Sequence, residues 1–230
     1  MPDTTLAVLI PAYNEGTVIG SVIRSIPKTL EYISDIKVIV INDGSKDETS
    51  EAATSAGAIV LRHRLNRGVG VGTVTGLAAA RRLGADIAVT MDADGQHDPA
   101  ELGAIITPIR LGQADIVVGT RLTNSRGMPA VRRIGNQLMN GILRICWGIQ
   151  TTDSQSGYRA YSRKAITDLK LTSGGFEVCT EMLYAAKRAG LVVTEVPIRT
   201  IYSDYSKAKG QNPITALLTL MRFVARIITG

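Results

Sequence analysis

The sequence predicts an α/β protein built on a mostly parallel sheet flanked by helices, and three observations carry that expectation. Short β-rich runs alternate with helical patterns through the first half of the chain, as repeated βα units do. With 230 residues, 45% of them hydrophobic and 20% charged, the chain can bury a sizeable core as one domain. Acidic residues and an arginine recur just after the expected strands, on the edge where open α/β sheets bind ligands.

Each element has its own signal. The first strand is expected over Leu6–Pro11, running into PAYNE, with a helix beginning near Glu15. The second, Lys37–Asn42, runs into NDGS, and Ser45-Lys46-Asp47-Glu48 has the spacing of a capping box that starts a helix near Ser45. A third strand over Ala58–Arg62 leads through NRGVGVGTVTG to a helix near Gly72. The fourth, Ile87–Met91, enters DADGQHDP and a helix near Pro99, with Asp98 before the proline as its N-cap. The fifth, Asp115–Gly119, ends in GTR. The pattern then changes to a polar loop, TRLTNSRGMP, and a basic amphipathic helix over Val131–Trp147. After a turn at QTTDSQSG come a strand at YRAYS, a helix near Phe176–Ala189 and a strand at LVVTEVPI. An amphipathic C-terminal helix over Pro213–Ile228 makes residues 211–230 an appendage to a domain spanning 1–210.

Composition excludes some functions. Aromatic residues are only 4% of the chain, too few for a base-stacking platform, so no nucleic-acid partner is expected. The net charge of +6 concentrates toward the C-terminus, where Arg199, Lys207, Lys209, Arg222 and Arg226 face a single nearby acid, Asp204. That excess suits an anionic membrane surface or substrate. In the last helix Thr215, Thr219, Arg222 and Arg226 form one polar stripe against a wide apolar arc, and the helix at 131–147 is similar. Two readings stay open: both helices lie at a bilayer interface, or they pack on the sheet or in a homo-oligomer. No secretory signal and no run of about 18 apolar residues is visible, so a cytoplasmic chain, peripheral on the membrane, is expected. Cys146 and Cys179, without CxxC spacing, read as reduced core thiols.

Asp92 and Asp94 are two apart after a strand and point the same way if the segment is extended. Their repulsion is relieved by a hard divalent cation, with Gln96 as a neutral third oxygen and substrate phosphates completing the shell. Such a metal can clamp a departing diphosphate. His97 reads as a surface residue or one behind the ligands. Asp43, followed by Gly44, can accept from a base or ribose, although Asp-Gly-Ser is also a common turn. Gly-x-Gly spacing in NRGVGVG follows the third strand rather than the first, which argues against a dinucleotide fingerprint. It is either a loop bringing backbone N–H groups near phosphate or a tight strand-to-helix turn.

As an ordered series, LIPAYNE, VINDGSKDET, NRGVG, MDADGQHDP, GTR, DSQSGYRAYS, GFEVCTEML and EVPIRTIY resemble family 2 glycosyltransferases of the GT-A (Rossmann-like) fold. The resemblance runs from about Leu6 to Lys209 and is greatest to the dolichol-phosphate or polyprenyl-phosphate mannosyl- and glucosyltransferase branch. It implies an inverting hexosyltransferase that uses a UDP- or GDP-linked sugar and Mg²⁺ or Mn²⁺. Residues 1–120 would then be the nucleotide-sugar-binding half and 121–210 the acceptor side. Pro11, Ala12, Tyr13, Glu15, Asp43 and Gly44 would hold the nucleoside. Asp92, Ala93, Asp94 and Gln96 would hold diphosphate, with Asp92, Asp94 and Gln96 on the metal. Arg121 and Lys207 would meet phosphate, Thr120 standing where the family has Ser. Mannosyl enzymes carry an Arg six residues before that Lys; here the position is Ile201, and VPIRTIY resembles relatives that use other sugar nucleotides.

A polyprenyl phosphate acceptor is already ionised near neutral pH and needs positioning rather than a strong base. A saccharide hydroxyl would need a carboxylate, for which Asp153, preferred by the resemblance, and Glu181 are candidates. Asp94, Arg121 and Asp153 are therefore the expected catalytic residues, and Arg121, Arg126, Arg132 and Lys207 favour an anionic acceptor. A nucleotidyltransferase should carry a Gly-rich basic loop after its first strand, which PAYNEGTV lacks. A non-catalytic sugar-nucleotide-binding partner is disfavoured by intact Asp92, Asp94 and Arg121.

Overall fold

Alternation along one central strand sets the layer order. In the computed structural model, which describes residues 4–121 and 130–201, strand β1 (Thr5–Ala12) lies inside a seven-stranded sheet. Its side chains leave by alternate faces. Leu6, Val8 and Ile10 enter a core with Ile19, Val22 and Ile23 of α1 (Ile19–Ser25), Ala53 of α2 (Thr49–Ser55), and Leu102, Ile105 and Ile106 of α4 (Leu102–Arg110). Ala7 and Leu9 enter a second core with Leu77 and Ala80 of α3 (Val69–Arg82), Ala165 and Ile166 of α6 (Arg163–Asp168), and Met182 and Ala186 of α7 (Val178–Arg188). Helices therefore cover both faces, as a mostly parallel sheet requires. A smaller cluster joins Met139 and Leu143 of α5 (Ala130–Trp147) to Val118 and Leu183.

The remaining strands are β2 (Asp35–Asn42), β3 (Ile59–Arg62), β4 (Ile87–Thr90), β5 (Ile116–Thr120), β6 (Arg159–Ser162) and β7 (Val193–Pro197). Their order across the sheet is β3-β2-β1-β4-β6-β5-β7. All neighbours are parallel except β6, which runs antiparallel to both β4 and β5. Two consequences place the site. From β1 the chain moves outward through β2 to β3 and then returns to β4, so the order reverses between β1 and β4, and a crevice opens beyond their carboxyl ends. The reversed β6 starts at that same edge, Arg159 lying opposite Thr90, so the preceding DSQSG loop arrives beside the end of β4. Strand β7, in register with β5 up to Thr120–Pro197, delivers the following segment there too.

The fold is the expected one, with differences at boundaries. Helix α2 begins at Thr49, not near Ser45, and the capping box does not form. Ser45 instead accepts from the Asn14 N–H at 2.9 Å, and Asp47 accepts from the Thr49 N–H at 3.2 Å. Short-range capping lost to tertiary hydrogen bonds from the neighbouring strand end. Asp98 does cap, accepting from the Ala100 N–H at 3.0 Å above a 3₁₀ turn at Pro99–Glu101. Helix α6 was not expected from the sequence; Ser162 starts it by accepting from the Ala165 N–H. Cys146 is exposed rather than a core thiol, and Cys179 is partly buried. Lys207, the helix expected over Pro213–Ile228 and the loop carrying Arg126 lie outside the described residues, as do the side chains of Arg132 and Arg133.

Candidate active site

The ends of β1 and β2 are stitched together before any ligand is considered. The Glu15 N–H donates to Thr49 Oγ1 at 2.9 Å, the Gly16 N–H to Asp47 at 2.9 Å, and the Lys46 N–H to Asn14 Oδ1 at 2.9 Å. Asn14 sits at φ 54°, a left-handed conformation that asparagine tolerates better than most residues. Pro11, Ala12, Tyr13 and Glu15 thus share one rim with Asp43 and Gly44. Tyr13 is exposed and Glu15 buried.

Asp43 is nearly inaccessible, and its carboxylate has four close protein contacts. Oδ1 lies 2.7 Å from His63 Nδ1, the Arg67 N–H donates to both oxygens at 3.0 Å, and the Gly68 N–H donates to Oδ2 at 2.7 Å. A carboxylate offers about four acceptor directions. Asp43 therefore contributes to the rim through the loop it anchors rather than through an open oxygen. The glycines of NRGVGVG have a packing role. A Cβ on Gly68 would lie 2.3 Å from the Gly174 carbonyl oxygen, and one on Gly70 would lie 2.1 Å from that of Ser173. The loop is a tight turn pressed against residues 173–175.

At the end of β4 the carboxylates crowd together. Burial pushes the Asp92 carboxyl above its ordinary range, with Arg121 pulling the other way. Some 45% of the Asp92 side chain stays accessible, so the group is half-open at a concave rim rather than sealed. Burial, and then the charge of Asp92, push Asp94 up as well. Gln96 opposes this: its Nε2 donates to Asp94 Oδ2 at 2.7 Å and its N–H to Oδ1 at 3.0 Å. Gln96 is thus a clamp on Asp94, behind the carboxylate. His97 is buried, not superficial. Its Nδ1 accepts from the Asp92 N–H at 3.0 Å, and its ring stacks on Tyr158 at 4.8 Å. Burial, followed by the charge of Arg121, lowers its pKa to about 4, so it is the neutral imidazole that orients the Asp92 backbone. The segment after β7 closes over this turn, the Ile201 N–H donating to the Gln96 carbonyl at 2.9 Å.

Across the rim, Arg121 and Asp153 form a bidentate pair. Nε donates to Oδ2 at 2.7 Å and the terminal guanidinium N–H to Oδ1 at 2.9 Å, while the Arg121 backbone N–H also reaches Oδ2 at 3.1 Å. Asp153 has no accessible surface. Asn136 of α5 adds a contact to Oδ1 at 3.4 Å, and Asn140 binds the carbonyl of Thr152. Glu195 holds Thr151 and Thr152, and Thr152 meets Thr120 at 2.7 Å. A cleft of about 600 Å³ borders this network, lined by Asn140, Arg144, Thr152 and Glu195 among others. Neither Asp92 nor Asp94 lines it. Glu181 caps the 172–173 backbone, accepting from the Thr172 and Ser173 N–H groups at 2.8 Å.

Several rim residues were missed in the sequence. His63 follows directly after β3, at the same sheet edge as the other strand-end residues. Asn136, Thr152 and Glu195 carry no sequence signal, because α5, the loop before β6 and the parallel pairing of β7 with β5 meet only in the folded sheet.

The donor set fits a divalent cation. Two oxygen ligands lie two residues apart, half-open, each with its carboxyl pushed up in a way an added cation would reverse. Among the described residues no three His, Cys, Asp or Glu side chains gather around one point, so a metal here would draw on phosphate and water.

Known proteins resemble the chain throughout. The family model described as glycosyl transferase family 2 matches residues 7–170. The UDP-N-acetylglucosamine–dolichyl-phosphate N-acetylglucosaminyltransferase of Methanococcus voltae is 38% identical over 234 residues, covering 92% of this chain and 92% of that protein. The undecaprenyl-phosphate mannosyltransferase of Micrococcus luteus is 30% identical, covering 87% of this chain and 85% of its own length. Among solved structures, glucosyl-3-phosphoglycerate synthase of Mycobacterium tuberculosis, in complex with Mn²⁺, UDP-glucose and phosphoglyceric acid, superposes with a TM-score of 0.69 at 25% identity. That match covers 96% of this chain and 79% of that one.

Proposed function

The chain belongs to glycosyl transferase family 2, and on that premise we propose that it moves a sugar, with inversion, from a nucleotide-diphosphate sugar to a polyprenyl phosphate. As a glycosyltransferase of the GT-A fold it needs a donor side and an acceptor side. We assign residues 1–120 to the donor and 121–210 to the acceptor. Pro11, Ala12, Tyr13, Glu15, Asp43 and Gly44 form the nucleoside end. Ala93 lies in the turn that carries Asp92 and Asp94, which would hold Mg²⁺ or Mn²⁺, with Gln96 steadying Asp94. When bound, the metal neutralises charge building on the departing diphosphate. Arg121 faces phosphate, and Asp153 positions Arg121.

One observation carries the choice of acceptor. Both carboxylates considered as bases are occupied elsewhere: Asp153 in the pair with Arg121 and Glu181 in the cap on Thr172 and Ser173. A lipid phosphate, whose second pKa is about 6, attacks as an ionised oxygen and needs neither. The relatives named above, which act on dolichyl and undecaprenyl phosphates, support the same reading. A peripheral position on the cytoplasmic face of the membrane goes with it: no described helix is long and apolar enough to cross a bilayer, while α5 exposes Ile134, Leu138 and Ile145 along one face.

The test is a transfer assay with UDP- and GDP-linked sugars, a polyprenyl phosphate and Mn²⁺ or Mg²⁺. Wild type should form the lipid-linked sugar, and Asp94→Ala should lose about a hundredfold or more of the turnover. Transfer only to soluble saccharide hydroxyls would overturn the lipid-phosphate reading, and equal turnover by Asp94→Ala would overturn the metal role.

A further inference from the structure

His63 belongs to no motif and plays no part in the chemistry above, yet it is placed with unusual completeness. Its side chain is 14% accessible and stands between two partners: Nδ1 lies 2.7 Å from Asp43 Oδ1, and Nε2 lies 3.0 Å from Thr75 Oγ1 of α3. The carboxylate can only accept, so Nδ1 carries the proton toward Asp43 and the Thr75 hydroxyl donates to Nε2. The Thr75 hydroxyl can donate or accept by turning, so the bond from Nδ1 to Asp43 does not depend on it. The histidine backbone is fixed as well, its N–H donating to the Asn42 carbonyl at 2.9 Å.

What His63 holds in place matters more than the bond itself. The Asp43 carboxylate receives the N–H groups of Arg67 and Gly68, and the turn at Gly44 is wedged against the same loop. A Cβ at Gly44, whose φ is +76°, would lie 2.6 Å from the Leu65 carbonyl carbon. That loop then leans on residues 173–175, the Gly70 N–H donating to the Gly174 carbonyl at 2.9 Å. Rotation of the Asp43 carboxylate would release two backbone donors at once. Imidazole, lodged between Asp43 and Thr75, blocks that rotation.

We infer that His63 is a positioning residue for the nucleoside end of the donor site, acting by locking the Asp43 carboxylate and, through it, the 65–68 loop. The inference rests on the sugar-nucleotide reading above. It predicts an effect on nucleotide affinity rather than on the transfer step. His63→Ala should weaken binding of UDP or GDP in the presence of Mn²⁺ about tenfold, the loss expected when a hydrogen bond to a charged group is removed. The rate at saturating donor and the KM for the lipid acceptor should stay put. His63→Asn, whose amide can still donate to Asp43, should recover most of the affinity. Because His63 acts through Asp43, the His63→Ala/Asp43→Asn double variant should bind no worse than Asp43→Asn alone.

Isothermal titration of UDP and of GDP with Mn²⁺ into the full chain reads wild type and all four variants without turnover. A wild type that binds neither nucleotide removes the donor reading and this inference with it. A wild type that binds, with His63→Ala equal to it or with additive losses in the double variant, overturns the inference alone. Should His63→Ala fail to fold, His63→Asn against His63→Leu gives the same decision: equal affinities overturn the inference.

Discussion

Asp153 sits at zero exposure with its oxygens facing three donors of Arg121 and one of Asn136. A buried pair of this kind is strongly destabilising to break from one side, at about 3–5 kcal/mol, because the remaining charge is stranded. Asp153→Ala should therefore lower the melting temperature by roughly 10 °C. Removing Arg121 as well should restore part of that loss, which calorimetry on the single and double variants would measure. A carboxylate serving only as a proton acceptor would abolish transfer and leave melting unchanged. The residue types of the site were legible in the sequence, since Asp92, Asp94, Arg121 and Asp153 all stand on one rim. Their roles were less so. Nothing in DSQSG says that its aspartate faces an arginine 32 positions away, and nothing in QHDP says that the histidine is stacked on Tyr158.

Elements in this fold are joined where backbones touch. The start of α3 meets residues 173–175 so closely that Gly70 has no room for a methyl group, with 2.1 Å from its Cβ position to the Ser173 oxygen. Gly70→Ala must push the two loops apart. It should destabilise the protein by about 1–3 kcal/mol and raise hydrogen exchange at residues 172–175; an unchanged exchange pattern there would contradict the packing role. A second junction ties β4 to β1 and α6. Asp86 accepts from the Thr5 N–H at 2.9 Å and from Arg163 at 2.7 Å. Burial alone would push this carboxyl up, but the two donors outweigh it and hold the pKa below the ordinary value of 3.8. With the folded value below the unfolded one, its contribution is present above pH 3.8 and is lost as pH falls through the folded value. Asp86→Asn should consequently flatten the acid limb of stability below pH 4 in denaturant titrations, relative to wild type. Strand and helix periodicity revealed β1, β4 and α3 but not α6, and neither junction, because a glycine's neighbour and a carboxylate's donor belong to other parts of the chain.

At the scale of the molecule, α5 presents an apolar face near a basic residue: Ile134, Leu138 and Ile145 are 63%, 56% and 85% exposed, with Arg144 beside them. If this face meets a bilayer, Leu138→Asp/Ile145→Asp should reduce sedimentation with anionic vesicles about tenfold or more, given roughly 1.5–3 kcal/mol for each aliphatic side chain buried. Melting should hardly move, since both side chains are already exposed, and unchanged vesicle binding would exclude α5 as the contact. The amphipathic pattern that suggested this surface is a property of local sequence. So are the βα alternation, the strand-end carboxylates and the Asp98 cap, because each depends on residues within a turn or two of one another. The insertion of β6 between β4 and β5 is different. It brings Asp153 to Arg121 and the DSQSG loop to Asp92, while the approach of β3 to β2 brings His63 to Asp43. Those pairings join residues 20 to more than 60 positions apart, where spacing along the chain carries no directional information, and only the packed sheet determines which side chains meet.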